Sequence, residues 1–388
     1  MPRLDNDASI ATILKHDNKT TSYKIALLRA LNDLVLSYPG LAQYEQPVAV
    51  PLVRIAELWA AYYWPFMDEH QPIYQGARAL RDGALRNDVS FRPALTQLRT
   101  EWRQLLLTVT EPADGYFLLT EMHTPRRRAT YPASLVQAYI QALAALVMAI
   151  KMPIQYAGPK QWSIFPKPAP LSQFPPNALP IPGTLPTDLC VLVTAPLWHE
   201  FHRLSLYIEA LCIHEWSLFT EGVTQEPANI VTRGTTYTLL TARPDNRRPL
   251  SWERNQVDLL LLEQVPIFCP WTGKPITQPA HYDLDHLLPL KIYPINELWN
   301  LLPVDKAFNQ HTKRDRIPDA AKLLAAQPRV AAAYTAYHQS TKLLAAIHED
   351  AALRFTGLTP GPTFAASLAR HALAFIDSVA IARFATRF

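Results

Sequence analysis

The chain is poor in cysteine. Cys190, Cys212 and Cys269 are the only three in 388 residues, too few and too scattered for a disulfide framework, so a reducing cytoplasm is the expected location. The N-terminus, MPRLDNDASIATILKHDNKTT, has no apolar core of the kind a signal peptide needs. The longest apolar run, Leu135 to Ile150, is interrupted by Gln137, Tyr139 and Gln141 and falls short of the roughly 20 residues of a membrane span. It reads as a buried helix, and no membrane partner is expected. A strong charge of either sign is also lacking: 37 basic against 33 acidic side chains leave +4, which permits nucleic-acid binding without arguing for it. No internal repeat is evident. What is present is a hydrophobic fraction of 49% with 18% charged residues, the balance of a folded globular protein.

In chain order, helical spacing predicts helices over Asp7–Lys15, Ser22–Leu36, Val53–Trp64, Phe91–Leu107 and Ser134–Ile150. The connector HDNKTTSYK between the first two is polar and carries Lys19 and Lys24, and reads either as a solvated link or as a phosphate-contacting loop. Trp59, Tyr62, Tyr63 and Trp64 read as core rather than as a base-stacking platform. Arg126, Arg127 and Arg128 fall in a turn-rich stretch and are expected to be exposed, where guanidinium groups suit phosphates. From Pro153 to Pro186 ten prolines in 34 residues exclude helices and central strands and predict an extended connection, read either as a domain linker or as a segment packed along a surface by Trp162, Phe165 and Phe174. Leu197–Phe219 reads as one long helix. Its His199-Glu200 and His214-Glu215 pairs lack a second histidine four residues on, since Arg203 and Leu218 stand there, so a zincin site is excluded. Thr235–Thr241 has strand character and leads into a basic loop with Arg243, Arg247, Arg248 and Arg254, a second candidate for nucleic-acid contact. Ala320–Phe388 reads as about three helices without catalytic features.

The chemistry concentrates between Cys269 and Pro318. Tyr282–His286 alternates as a strand, Pro289 and Pro294 mark a loop, Asn300 precedes a second strand, and Asp305 is placed to cap a helix on which Asn309, Lys313 and Arg316 share a face. A hard cation such as Mg²⁺ or Mn²⁺ takes oxygen ligands, which Asp285 and the amide oxygen of Asn309 can supply. A neutral histidine, His286, can take a proton from an attacking water. Lys313 or Arg316 would hold a phosphate backbone. Together these suit phosphodiester hydrolysis.

The segments YDLDHLLPL, WNLLPV and FNQHTKRDRIP resemble the HNH (His-Me finger) endonuclease family, closest to the H-N-N variant of RNA-guided CRISPR nucleases. The resemblance covers about fifty residues. It implies a ββα-metal module embedded in a mainly α protein, α+β overall, with His286 as general base, Asp285 and Asn309 as metal ligands, Asp283 assisting the metal, and Asn300 bracing the loop and the His286 ring. It also implies DNA, double-stranded, as the substrate, and by analogy with Zorya-associated nucleases a role in antiviral defence with partner proteins of such a system. The alternatives are a catalytically inactive HNH fold that binds DNA or regulates, and a nuclease directed at RNA. Many members brace the module with zinc on two CxxC pairs. Here Thr272 follows Cys269 in place of a second cysteine, and Asp305 and Phe308 stand at the other pair, so structural zinc is not expected; Phe308, Trp271 and Trp299 would pack there instead. The expected organisation is a helical N-terminal domain (1–152), a connection with a long helix and basic loop (153–254), the nuclease module (255–320) and C-terminal helices (321–388).

Overall fold

The computed structural model describes residues 6–81, 84–105, 111–158, 163–223, 225, 230–242, 250–294, 296–355 and 357–388. The chain divides into two compact units, Met1–Ala242 and Arg243–Phe388.

The first unit carries α1 (Asn6–Lys15), α2 (Tyr23–Ser37), β1 (Val48–Pro51), α3 (Leu52–Tyr63), a hairpin of β2 (Arg78–Arg81) and β3 (Ala84–Asn87), α4 (Arg92–Leu105), α5 (Asp114–His123), the single turn α6 (Pro125–Arg128) and α7 (Ala133–Tyr156). Then come β4 (Ala169–Pro170), β5 (Leu179–Pro180), β6 (Leu189–Val193), α8 (Ala195–Arg203), α9 (Ser205–Glu221) and α10 (Arg233–Thr241). Helix α2 is the centre of this unit, with all but two of its residues buried. The aromatic run of α3 lies wholly inside: Tyr63 meets Phe91 at 4.8 Å and Trp216 at 5.0 Å between ring centroids, so these rings are spent on the core. The proline-rich segment lies within the unit. Its two described strands are the outer members of a four-stranded sheet ordered β4-β6-β1-β5, where Pro170 and Pro180 need offer no ladder N–H.

Three sequence expectations are corrected here. Thr235–Thr241 is helical: Thr232 caps α10 by accepting from the Thr235 amide, and Thr236, Thr238 and Thr241 each turn the hydroxyl back onto the carbonyl four residues earlier, which reconciles β-branched residues with a helix. The expected single helix over 197–219 is two, α8 and α9, broken at Leu204. The arginine triplet is a helical turn rather than an exposed loop. Arg127 is 4% exposed with Glu121 at 3.7 Å, and Arg128 donates to the Met122 carbonyl; a guanidinium can be buried because a carboxylate is buried with it. Arg243, Arg247, Arg248 and Trp162 lie outside the described residues. Helix α7 runs on past Ile150 to Tyr156, with Pro153 in its last turns. It and the helix Phe364–Ala382 of the second unit are long and apolar enough to cross a membrane, and α7 packs against α2, α3 and α4.

The second unit begins with α11 (Ser251–Leu262), a small hairpin of β7 (Ile267–Phe268) and β8 (Pro275–Ile276), and a larger one of β9 (Tyr282–His286) and β10 (Leu301–Asp305) that leads directly into the short helix α12 (Lys306–Phe308). It ends with α13 (Ala320–Tyr337), α14 (Thr341–Arg354) and α15 (Phe364–Ala382). These three helices hold the larger hairpin from beneath. Tyr334 and Tyr337, one turn apart on α13, donate to the carbonyls of Trp299 and Leu301 at 2.5 and 2.7 Å. Asp350 on α14 accepts from the Leu298 amide at 2.6 Å, and Arg354 pairs with Glu297. The Trp299 ring sits edge-on to Phe355 and Phe375.

Between α13, α14 and the start of α15, His338 and His348 pack on each other and on Phe364, with centroids 5.7, 5.6 and 4.2 Å apart. Both Nε2 atoms are buried without a hydrogen-bond partner. Burial lowers both pKa values from the ordinary 6.5, helped at His338 by His348. The folded protein therefore binds fewer protons here than the unfolded chain, so stability from this pair is present above pH 6.5 and is lost as pH falls through the unfolded value. The melting temperature should drop from pH 7.5 to 5.5, and the drop should be smaller by about 2–4 °C in a His338→Phe, His348→Leu double variant. Identical acid slopes in the two proteins would refute the assignment.

Candidate functional site

The β9–β10 pair fixes the register of the site. His286 opposes Leu301, Asp285 opposes Leu302 and Asp283 opposes Val304. Asp283 and Asp285 thus lie on one face of β9 and His286 on the other. Tyr282 anchors the strand by donating to Asp258 of α11 at 2.7 Å, under the Arg254 guanidinium.

After the hairpin, Asp305 caps α12 by accepting from the Phe308 amide at 2.8 Å. The helix then widens over Asn309–Lys313, where the Arg314 amide bonds the Asn309 carbonyl five residues back. It stops at Arg314, whose φ of 52° is strained for a side chain with a Cβ. The regular spacing expected for Asn309, Lys313 and Arg316 is therefore not kept, and each residue has its own place.

Asn309 turns to Asp283, its Nδ2 donating to Oδ2 at 3.3 Å, beside Gln310, which donates to the same oxygen at 3.2 Å. The Oδ1 of Asn309 is buried with no hydrogen-bond partner. Lys313 is completely buried. Its ammonium lies 2.7 Å from Asp285 Oδ2 and donates to the His286 carbonyl at 2.9 Å. The side chain expected to reach a phosphate from the surface is inside, joining helix to strand. Arg316 is half-buried, over the Phe388 ring at 5.6 Å. Burial pushes the Asp285 carboxyl above its usual range, against the opposing pull of Lys313 and with a further push from Asp283. Its side chain keeps 13% exposure, a narrow opening to solvent.

His286 is 8% exposed, and its Nε2 lies 2.9 Å from Asn296 Oδ1. With an amide oxygen as acceptor the ring carries its proton on Nε2, which in the neutral form puts the lone pair on Nδ1. Asn300 is fully buried; it accepts from the Leu288 amide at 2.8 Å and donates to the Leu288 carbonyl at 3.0 Å. It thereby closes the loop that leaves His286, whose next amide, Leu287, bonds the Asn300 carbonyl. Asn296 was missed by sequence reasoning. The signal available was a polar residue in the apolar stretch YPINELW, buried when the loop folds back.

The described residues offer no group of three His, Cys, Asp or Glu side chains that could hold a metal. Two carboxylates and the unsatisfied Asn309 oxygen do suit a magnesium-type ion, which takes one or two carboxylates and fills its remaining positions with water or phosphate oxygens. They do not suit zinc. At the positions of the zinc pairs, Cys269 is buried in the β7–β8 turn, where its carbonyl accepts from Gly273. Asp305 is occupied as the cap of α12. Phe308 and Trp271 each meet the ring of Phe388, at 5.7 and 6.4 Å. Trp299 packs elsewhere, so the expected aromatic trio is instead Phe308, Trp271 and Phe388.

Residues 4–240, more than half of the chain, match the family described as Domain of unknown function (DUF8808), and the chain belongs to that family. Residues 269–319 match a second family model, described as HNH endonuclease. The second unit therefore carries an HNH endonuclease domain, a class that acts on nucleic acid and typically uses a divalent metal. No curated protein and no solved structure matches the chain.

If aromatic packing has replaced the zinc brace, protein purified without added metal should hold well under one zinc per chain by elemental analysis, and its melting temperature should not change with a strong zinc chelator. One equivalent of zinc, lost together with the fold on chelation, would overturn this.

Proposed function

We propose that the β9–β10 hairpin and the helix after it form a ββα-metal centre that hydrolyses phosphodiester bonds of double-stranded DNA with Mg²⁺ or Mn²⁺. The observation that carries this reading is the buried, unsatisfied Oδ1 of Asn309, whose amide is held by the Asp283 carboxylate of the strand that also presents Asp285, inside the segment matched to HNH endonucleases. An orphaned buried acceptor is costly, by about 1–3 kcal/mol, unless a ligand satisfies it.

Asp285 and Asn309 would hold the ion, with Asp283 orienting Asn309. The bound ion supplies positive charge against the phosphate and the leaving 3′ oxygen. His286 accepts the proton of the attacking water at Nδ1, its tautomer and ring angle set by Asn296. Asn300 holds the turn that presents this histidine. Lys313 fixes the Asp285 carboxylate and keeps part of its charge neutralised in the absence of metal. One such centre cuts one strand, so a monomer nicks. A role in defence against phage or foreign DNA follows from the family resemblance, and a cytoplasmic location from the scarcity of cysteine.

A second reading has its own observation: Lys313 already neutralises Asp285, as in a centre that has given up its metal and binds nucleic acid only. Supercoiled plasmid with Mg²⁺ or Mn²⁺ separates the two. The active centre should convert it to nicked circles; His286→Ala should lose roughly 10²–10⁴-fold, and Asn296→Ala about 10–100-fold. No cleavage with either metal would favour the binding reading, and undiminished cleavage by His286→Ala would remove the histidine from the mechanism. The same assay on structured RNA decides the substrate.

The pH dependence follows from Asp285. A metal needs the ionised carboxylate, and a raised pKa lets protons compete at higher pH than for an ordinary aspartate. Activity should fall on the acid side, with an inflection above 3.8. In Lys313→Met that inflection should move further up, because the opposing ammonium is gone. An unchanged profile in that variant would show that Lys313 has no electrostatic role at the site.

A further inference from the structure

The polar connector between α1 and α2 forms one wall of a cavity in the first unit. Open to solvent, it has a volume of about 250 Å³ and is lined by Asp17, Asn18, Lys19, Thr20, Thr21 and Lys24 of the connector and by Met152, Pro153 and Tyr156 from the last turns of α7. The charges in and around it do not cancel. Asp17 is neutralised by Lys24 at 2.7 Å, and Glu215, nearby on α9, by Lys15 at 2.9 Å. Lys19 is half-buried and bonds the Asp17 carbonyl, a neutral acceptor, at 3.0 Å. Lys24 is held in place by Asp17 and the Asn18 carbonyl, so the loop is fixed rather than free to swing its cations into water. The Asp17 carboxylate also accepts from the Gly158 amide, tying the loop to the end of α7.

From this arrangement we infer that the cavity is a binding site for a phosphate monoester carried on a flat, ring-sized body, of the class of a nucleoside monophosphate. Lys19 supplies the charge and the Thr20 and Thr21 hydroxyls further donors, a combination suited to phosphate oxygens. Met152, Pro153 and Tyr156 supply an apolar wall for the ring, and the volume, slightly below the usual range of ligand pockets, suits a ligand of the size of one nucleotide. Burial lowers the pKa of Lys19, against the pull of Glu215 and Asp17, as befits an ammonium that gains by acquiring an anion. The site belongs to the first unit and does not depend on the proposed cleavage chemistry.

Calorimetry on the full chain tests it, with AMP, adenosine and inorganic phosphate as probes. AMP should bind, adenosine should bind at least tenfold more weakly, and inorganic phosphate more weakly than AMP. Lys19→Met, which keeps the apolar stem and is checked for an unchanged melting temperature, should lose AMP binding by about tenfold or more, whereas Lys19→Arg should retain it within a few-fold. Absence of AMP binding at millimolar concentration, equal affinity for AMP and adenosine, equal affinity for AMP and phosphate, or an unaffected Lys19→Met would each overturn the assignment.

Discussion

A buried ammonium ties the candidate centre together. Lys313 reaches from the widened helical turn to the Asp285 carboxylate and the His286 carbonyl, so one side chain joins the helix to the two residues at the end of the strand. An interior charge of this kind is retained only with an opposite charge close by, and removing one partner of such a pair typically costs about 3–5 kcal/mol. The pair constrains the rest. The helix must follow β10 without a loop, must widen to bring Lys313 inward, and must end abruptly, which it does through the strained Arg314. Asn309 is then left facing Asp283 with an oxygen to spare.

Much of this was legible in the sequence. The alternation of Tyr282–His286, the prolines after it, the Asn300 boundary and the Asp305 cap depend on nearest neighbours along the chain, and hairpin, loop and helix start stand where those signals put them. The long helices of both units likewise follow from apolar spacing. The failures have a common physical cause, since each turns on a particular side-chain or backbone partner that apolar spacing along the chain does not reveal. Three threonines in one segment read as a strand until their hydroxyls bond back within a helix. Arg127 reads as exposed until Glu121 is seen buried beside it. Lys313 reads as a surface cation because an ideal helix would place it there, and an i→i+5 turn cannot be inferred from spacing. Asn296 stood out only as a polar residue in an apolar stretch, because its importance comes from the ring it meets across the loop.

The absence of metal-ligand pairs around Cys269 and Phe308 is matched by what fills that corner. Aromatic rings from the β7–β8 turn, from α12 and from Phe388 converge there, and residues 386–388 run alongside 317–319 through backbone hydrogen bonds. A brace of coordination bonds and a brace of packed rings solve the same problem, holding a small hairpin against the start of a helix. The packed version draws on residues far along the chain.

That dependence bears on how portable the endonuclease segment is. The fifty residues that match the family model contain every side chain of the candidate centre, yet Tyr334, Tyr337, Asp350 and Arg354, which satisfy the backbone and carboxylate groups from Glu297 to Leu301, all lie outside them. Cut out alone, the segment would carry its chemistry into solution with the floor of its loop unpaired. The smallest piece that could be moved into another protein as a working cassette is the second unit as a whole, with its three C-terminal helices as part of the tool.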